Sequence, residues 1–193
     1  CPFCETVADS AYVKEYGASP GYGVQPMAVM VVRPGRQGKL YLAATPEYFA
    51  VDTAAARILT VEKASGLCGP SEPLEPNPRS FDIQRYGFTH WRMAFTDRQI
   101  ATHLCIAAQL NSVLSDLKQI YPARWEALAV CTALSFSRLV TQHNAFAFLH
   151  SGRETIEGPL GDGKFPMSFD FLEGNLFSGV AASYASALQW VHA

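Results

Sequence analysis

Thr96-Asp97-Arg98-Gln99-Ile100-Ala101-Thr102-His103-Leu104 opens the most strongly patterned segment of the chain. Thr96 and Gln99 stand at the spacing of a capping box, the hydroxyl reaching forward and the glutamine reaching back. Behind them, apolar residues at 100, 104, 107, 110, 114 and 117 follow the period of a helix with one buried face. A second long helix is expected from Pro122 to about His143. Leu128, Cys131, Leu134 and Leu139 mark one face of it, within a generally apolar run. Residues 180–192 repeat the pattern, with Tyr184, Leu188 and Val191 inward. These segments predict a chain that is α+β and mainly α.

The strand signal lies nearer the beginning. Residues 27–33 and 39–43 are rich in strand formers, and Pro34 to Gly38 between them makes a β-hairpin the expectation. A short helical pattern over 5–17 precedes it. Thr45-Pro46-Glu47 after it is a helix start, with the helix running to about Ala64 and stopping at Gly66. Pro70, Pro73, Pro76 and Pro78 then forbid regular helix. The expected division is 1–65 (cysteine knuckle, hairpin and helix), 66–95 (Pro-rich and aromatic connector) and 96–193 (helical subdomain).

Hydrophobic residues at 49% against 17% charged exclude a disordered chain. A net charge of −2 argues against a free-standing, strongly basic nucleic-acid-binding domain. No apolar run approaches the ~18 residues of a membrane span, so the expectation is a soluble, cytoplasmic protein with no membrane partner.

Cys1-Pro2-Phe3-Cys4 has the most chemical character. It fits half of a zinc ribbon, with Cys1 and Cys4 as two thiolate ligands. It also fits a redox motif, which needs a preceding strand, or an N-terminal nucleophile at Cys1 with its own amine as base. A knuckle at the first residue implies a piece of a longer protein, with the second ligand pair before residue 1. Cys68 is a further candidate ligand, while Cys105 and Cys131 sit among apolar residues and are expected as core thiols. The histidines form no constellation by spacing. Phosphate-binding glycine loops and a G-x-S-x-G elbow are absent. Asp170 and Glu173 are three apart, a spacing that suits a shared helix face and paired catalytic carboxylates, with capping or salt bridging the favoured role.

Arg79, Arg85, Arg92 and Arg98 interleave with Tyr86, Phe88 and Trp91. Such a strip suits phosphate contact and base stacking. From the residues alone, the favoured reading is a docking strip whose aromatics pack on a core and whose arginines pair with acids.

Several stretches, in a constant order, resemble one family. They are the C-P-x-C knuckle at 1–4, Gln25-Pro-Met-Ala-Val-Met, Gly38-Lys-Leu-Tyr-Leu, Asn77-Pro-Arg-Ser-Phe and Tyr86-Gly-Phe-Thr. Phe95-Thr-Asp-Arg-Gln, Leu134-Ser-Phe-Ser-Arg-Leu with Asn144, and Phe165-Pro-Met-Ser-Phe-Asp-Phe-Leu-Glu-Gly-Asn continue the series. The chain is similar in this to the large zinc-ribbon-containing adenine-specific DNA methylases, some of which sit in phage-defence gene clusters.

That resemblance implies a Rossmann-like parent enzyme moving a methyl group from S-adenosylmethionine to the exocyclic amine of adenine in DNA. The family's D-P-F-x-G-x-G cofactor motif and D-P-P-Y catalytic motif do not occur in this sequence. The chain resembles the region between them, so no catalytic or cofactor-binding residue is expected within it. Zinc at a half site (Cys1, Cys4) and DNA contact through Arg79, Arg85, Tyr86, Arg92 and Arg98 are the expectations. The alternative is a non-catalytic zinc-ribbon and helical module that binds other phage-defence proteins.

Overall fold

Local capping marks the start of the helices at 10–18 and 97–120. In the computed structural model, which describes residues 4–19, 21–35, 38–45, 54–77, 80–159, 165–179 and 182–192, the Asp9 carboxylate accepts from the Tyr12 amide at 2.8 Å. Helix α1 therefore spans Ser10–Ala18 and does not start at residue 5. Strands β1 (Ala28–Val32) and β2 (Lys39–Ala43) pair antiparallel, Ala28 opposite Ala43 and Val32 opposite Lys39. This is the hairpin that the sequence predicts. Helix α2 (Ala54–Ser65) ends at Gly66, whose amide donates to the Glu62 carbonyl at 2.9 Å. The predicted start at Pro46 and Glu47 lies outside the described residues.

Two 3-10 turns, Asp82–Tyr86 and Trp91–Ala94, occupy the aromatic strip. Helix α3 (Asp97–Ile120) follows, and both halves of its capping box form. The Gln99 amide donates to Thr96 Oγ1 at 3.2 Å, and the Thr96 amide donates to Gln99 Oε1 at 2.9 Å. Removing the hydroxyl in Thr96→Ala should cost about 1 kcal/mol, whereas Thr96→Ser should be near neutral. Urea unfolding of the two variants checks this, and equal losses would show that the hydroxyl does not stabilise the helix start.

Helix α4 spans Trp125–Gln142, after a turn over 122–124. Strands β3 (Phe148–His150) and β4 (Thr155–Glu157) form a second antiparallel hairpin, and α5 (Tyr184–His192) ends the described chain. The described residues thus make a mainly helical α+β protein with five α-helices and two small hairpins. Among them no helix is long and apolar enough to cross a membrane.

Two inward faces differ from expectation. On α4, Ser135 and Leu139 are buried, while Cys131 and Leu134 point out. The helix is apolar on several sides, so periodicity alone did not select the buried one. Ser135 goes inside at little cost because its hydroxyl donates to the Cys131 carbonyl at 2.8 Å. Cys105 is exposed too, beside the stripe of Ile100, Leu104 and Ile106 and not within it. On α5, Ala187 is buried and Leu188 is exposed, whereas Tyr184 packs inward as expected.

Among the described residues the core has three apolar clusters. The first joins Leu74 of the Pro-rich segment with Ile83, Ala94, Phe146 and Phe165, and Phe81, Phe88, Trp91 and Phe95 pack around it. Pro-rich and aromatic segments are tied by backbone bonds, Leu74 N to Thr89 O at 2.8 Å and Trp91 N to Glu72 O at 3.1 Å. The second joins α3, α4 and α5 through Ile106, Leu139, Leu176 and Ala187. The third is Ala147, Ile156 and Ala182. Between α3 and the end of α4, His103 and His143 meet, an encounter that their sequence spacing did not indicate.

Candidate nucleic-acid interface

Ring burial sets the orientation of the aromatic strip. Phe81, Phe88 and Trp91 turn toward Phe146 and Phe165, with Trp91 stacked on Phe165 at 6.1 Å between centroids. Ile83 goes inside with them, whereas Arg85 between them is exposed. Arg85 pairs with Asp82 at 3.3 Å, both side chains about half exposed. Arg92 donates to the Phe95 carbonyl at 3.1 Å and to the Asp97 carboxylate. Arg98 grips Glu173 through two parallel bonds, 2.5 Å from Nε and 2.9 Å from Nη2. The Glu173 bond pushes the Arg98 guanidinium pKa further up, and the pair ties α3 to the 165–179 segment. Arg79 lies outside the described residues.

Ion pairing therefore ranks the expected DNA-contacting residues. Arg98 is committed to a bidentate partner and Arg92 to two acceptors. Among the described residues Arg85 pairs with Asp82 in a solvent-screened contact, and of Arg85, Arg92 and Arg98 it is the one most easily redirected to a phosphate. Arg92 also lines a groove of about 400 Å³ with Ile58, Glu62, Ser71, His90 and Ile100.

Tyr86, next to Arg85, is the centre of a group that sequence spacing did not reveal. Lys14 of α1 places its ammonium 5.6 Å from the Tyr86 ring centroid. Phe169, 65% exposed, meets Tyr86 edge-on at 5.5 Å and Tyr22 edge-on at 5.9 Å. Lys14 thus faces an accessible aromatic cluster drawn from three distant parts of the chain, and Arg85 neighbours Tyr86 in sequence. The cluster depends on a close approach of two glycines. Gly87 has φ +88°, and a Cβ there would strike the Gly17 carbonyl. A Cβ on Gly17 would in turn meet Tyr22 and the Tyr86 carbonyl.

Of the two expected zinc ligands, Cys1 lies outside the described residues. Cys4 is exposed, and hydrogen bonds from Thr6 hold its thiol pKa below the usual value. Cys68 is also exposed, and among the described residues no group of three or more His, Cys, Asp or Glu is placed to hold a metal ion. The described residues alone do not make a zinc site. Asp170 and Glu173 do not share a helix face: Glu173 bonds Arg98, while Asp170 accepts from Ser168 at 3.1 Å.

Comparison with known proteins finds no matching protein family, no matching curated protein and no matching solved structure.

Proposed function

We propose that this chain is an internal, DNA-contacting segment of an S-adenosylmethionine-dependent DNA adenine methyltransferase, with methyl transfer and cofactor binding carried elsewhere in the parent protein. The observation that carries the DNA-contact part is the grouping of Lys14, Arg85, Tyr86 and Phe169. Cations beside exposed rings suit a nucleic-acid strand, whose phosphates take the charge and whose bases stack. The enzyme class rests on the family resemblance of the sequence. The net charge of −2 fits a local contact and not a strong overall field, so the parent protein would supply much of the phosphate binding.

Salt dependence of DNA binding by the full parent protein tests the contact. Arg85→Ala should lower the slope of log affinity against log salt by roughly 0.7 to 0.9 for each phosphate that is no longer neutralised. Tyr86→Ala should cost about 1–3 kcal/mol on single-stranded DNA. Arg92→Ala should change the slope less, because its guanidinium is already engaged. An unchanged slope in Arg85→Ala would sink the proposal.

One observation favours the second reading, a non-catalytic zinc-ribbon and helical module binding other phage-defence proteins. On the β1–β2 hairpin and just before it, Met27, Val32, Leu40, Tyr41 and Leu42 are all exposed. Exposed apolar groups gathered on one small sheet suit a protein contact. Loss of a protein partner on Tyr41→Ser, with DNA binding intact, would favour that reading.

A further inference from the structure

His103 and His143 lie forty residues apart in the chain, yet His143 Nδ1 and His103 Nε2 are 3.0 Å apart. Their residues are only 7% and 2% exposed. A bond between two ring nitrogens needs one donor and one acceptor, so at least the accepting imidazole is neutral when it forms, and burial favours the uncharged pair. The rings of Phe95 and Phe136 meet His103 edge-on at 5.5 and 6.1 Å, so a charge there would lie against aromatic surface. Charge near the pair comes from Arg98, whose own partner is Glu173 of the 165–179 segment.

The pair also sits at a joint. His143 caps the end of α4, and Asn144 beside it is buried, donating to the Val140 and Thr141 carbonyls. Asn144 Oδ1 accepts from the Phe146 amide at 2.9 Å, and the Ala145 amide donates to the Ala94 carbonyl at 2.8 Å. The chain leaving α4 is thereby fastened to the segment carrying Arg92 and Arg98.

We propose that the His103–His143 pair is an acid-sensitive latch, and that proton uptake by it frees the 143–147 segment from residues 94–98. A first proton leaves a donor and an acceptor between the rings but places a charge among the enclosing aromatics and near Arg98. A second proton leaves two donors facing each other, so both protons are better accommodated when the joint opens. Burial and the partner imidazole push His103 down to about 3, while burial and Arg98 push His143 down to about 4. The unfolded or opened chain therefore binds protons first. The latch is closed above about pH 6.5 and weakens progressively as pH falls toward those lowered values. It stands independently of the DNA-contact reading.

Amide exchange in the full chain is the test. Between pH 7 and pH 5, protection at Ala145 and Phe146, corrected for intrinsic rates, should fall by at least about tenfold. Much less of this loss should appear in His103→Gln with His143→Gln, whose amides hydrogen-bond without titrating. Constant protection in the native chain, or an equal loss in the double variant, overturns the proposal. Should the double variant not fold, histidine ring-proton titration of the native chain decides. Titration of both rings near pH 6.5 with Ala145 still protected overturns it; titration well below that value, together with amide release, supports it.

Discussion

Phe165→Ala is expected to lower unfolding stability by about 3–5 kcal/mol, the upper range for truncating one core side chain. Phe165 is 2% exposed and touches three other rings: Phe146 at 4.8 Å, Trp91 at 6.1 Å and Phe81 at 6.5 Å between centroids. Removing it takes away transfer energy and leaves a void that these rings cannot readily fill. They are held by backbone bonds in 3-10 turns and loops, so large collapse would require breaking those bonds. Phe165→Leu, which keeps most of the volume, should lose far less. Denaturant unfolding of the two variants checks the claim. A loss below about 1 kcal/mol for alanine would mean that the aromatic cluster repacks freely and is not a close-packed core.

Gly87→Ala is expected to have the second largest effect, about 2–4 kcal/mol, and to show it locally at α1. Two penalties combine there. The φ of +88° is one that L side chains rarely adopt. The new methyl would also collide with the Gly17 carbonyl, a backbone atom that cannot rotate away. Gly35→Ala separates the two, since Gly35 has φ +71° but a Cβ there meets no described residue within 4 Å. It should cost about 1 kcal/mol. Equal losses for the two glycines would show that α1 is not wedged against the 3-10 turn at all. If the wedge is real, Gly87→Ala should also weaken DNA binding by displacing Lys14 from Tyr86, under the proposed function.

The capping box at Thr96 and Gln99, the α3 stripe and the β1–β2 hairpin were legible because short-range geometry specifies them. Failures of sequence reading cluster where several outcomes cost nearly the same locally. α4 is apolar on several sides, so its neighbours chose Ser135 over Leu134 as a buried position. Cys105 and Cys131 are small enough to lie on either side of a helix boundary, and both face out. The candidate interface was half visible: Arg85 and Tyr86 are adjacent in sequence, but Lys14 and Phe169 join them only through folding.

Sequence alone determined the mainly helical α+β character, the Thr96–Gln99 capping box and the sparing overall charge, because each depends on composition or on residues within about one helical turn. Tertiary structure alone decided that Arg92 and Arg98 are engaged while Arg85 is accessible, and that Phe169 stands beside Tyr86. It also decided that two histidines forty positions apart share one hydrogen bond. Those outcomes turn on which surfaces are removed from water together, and burial couples residues without regard to their separation along the chain.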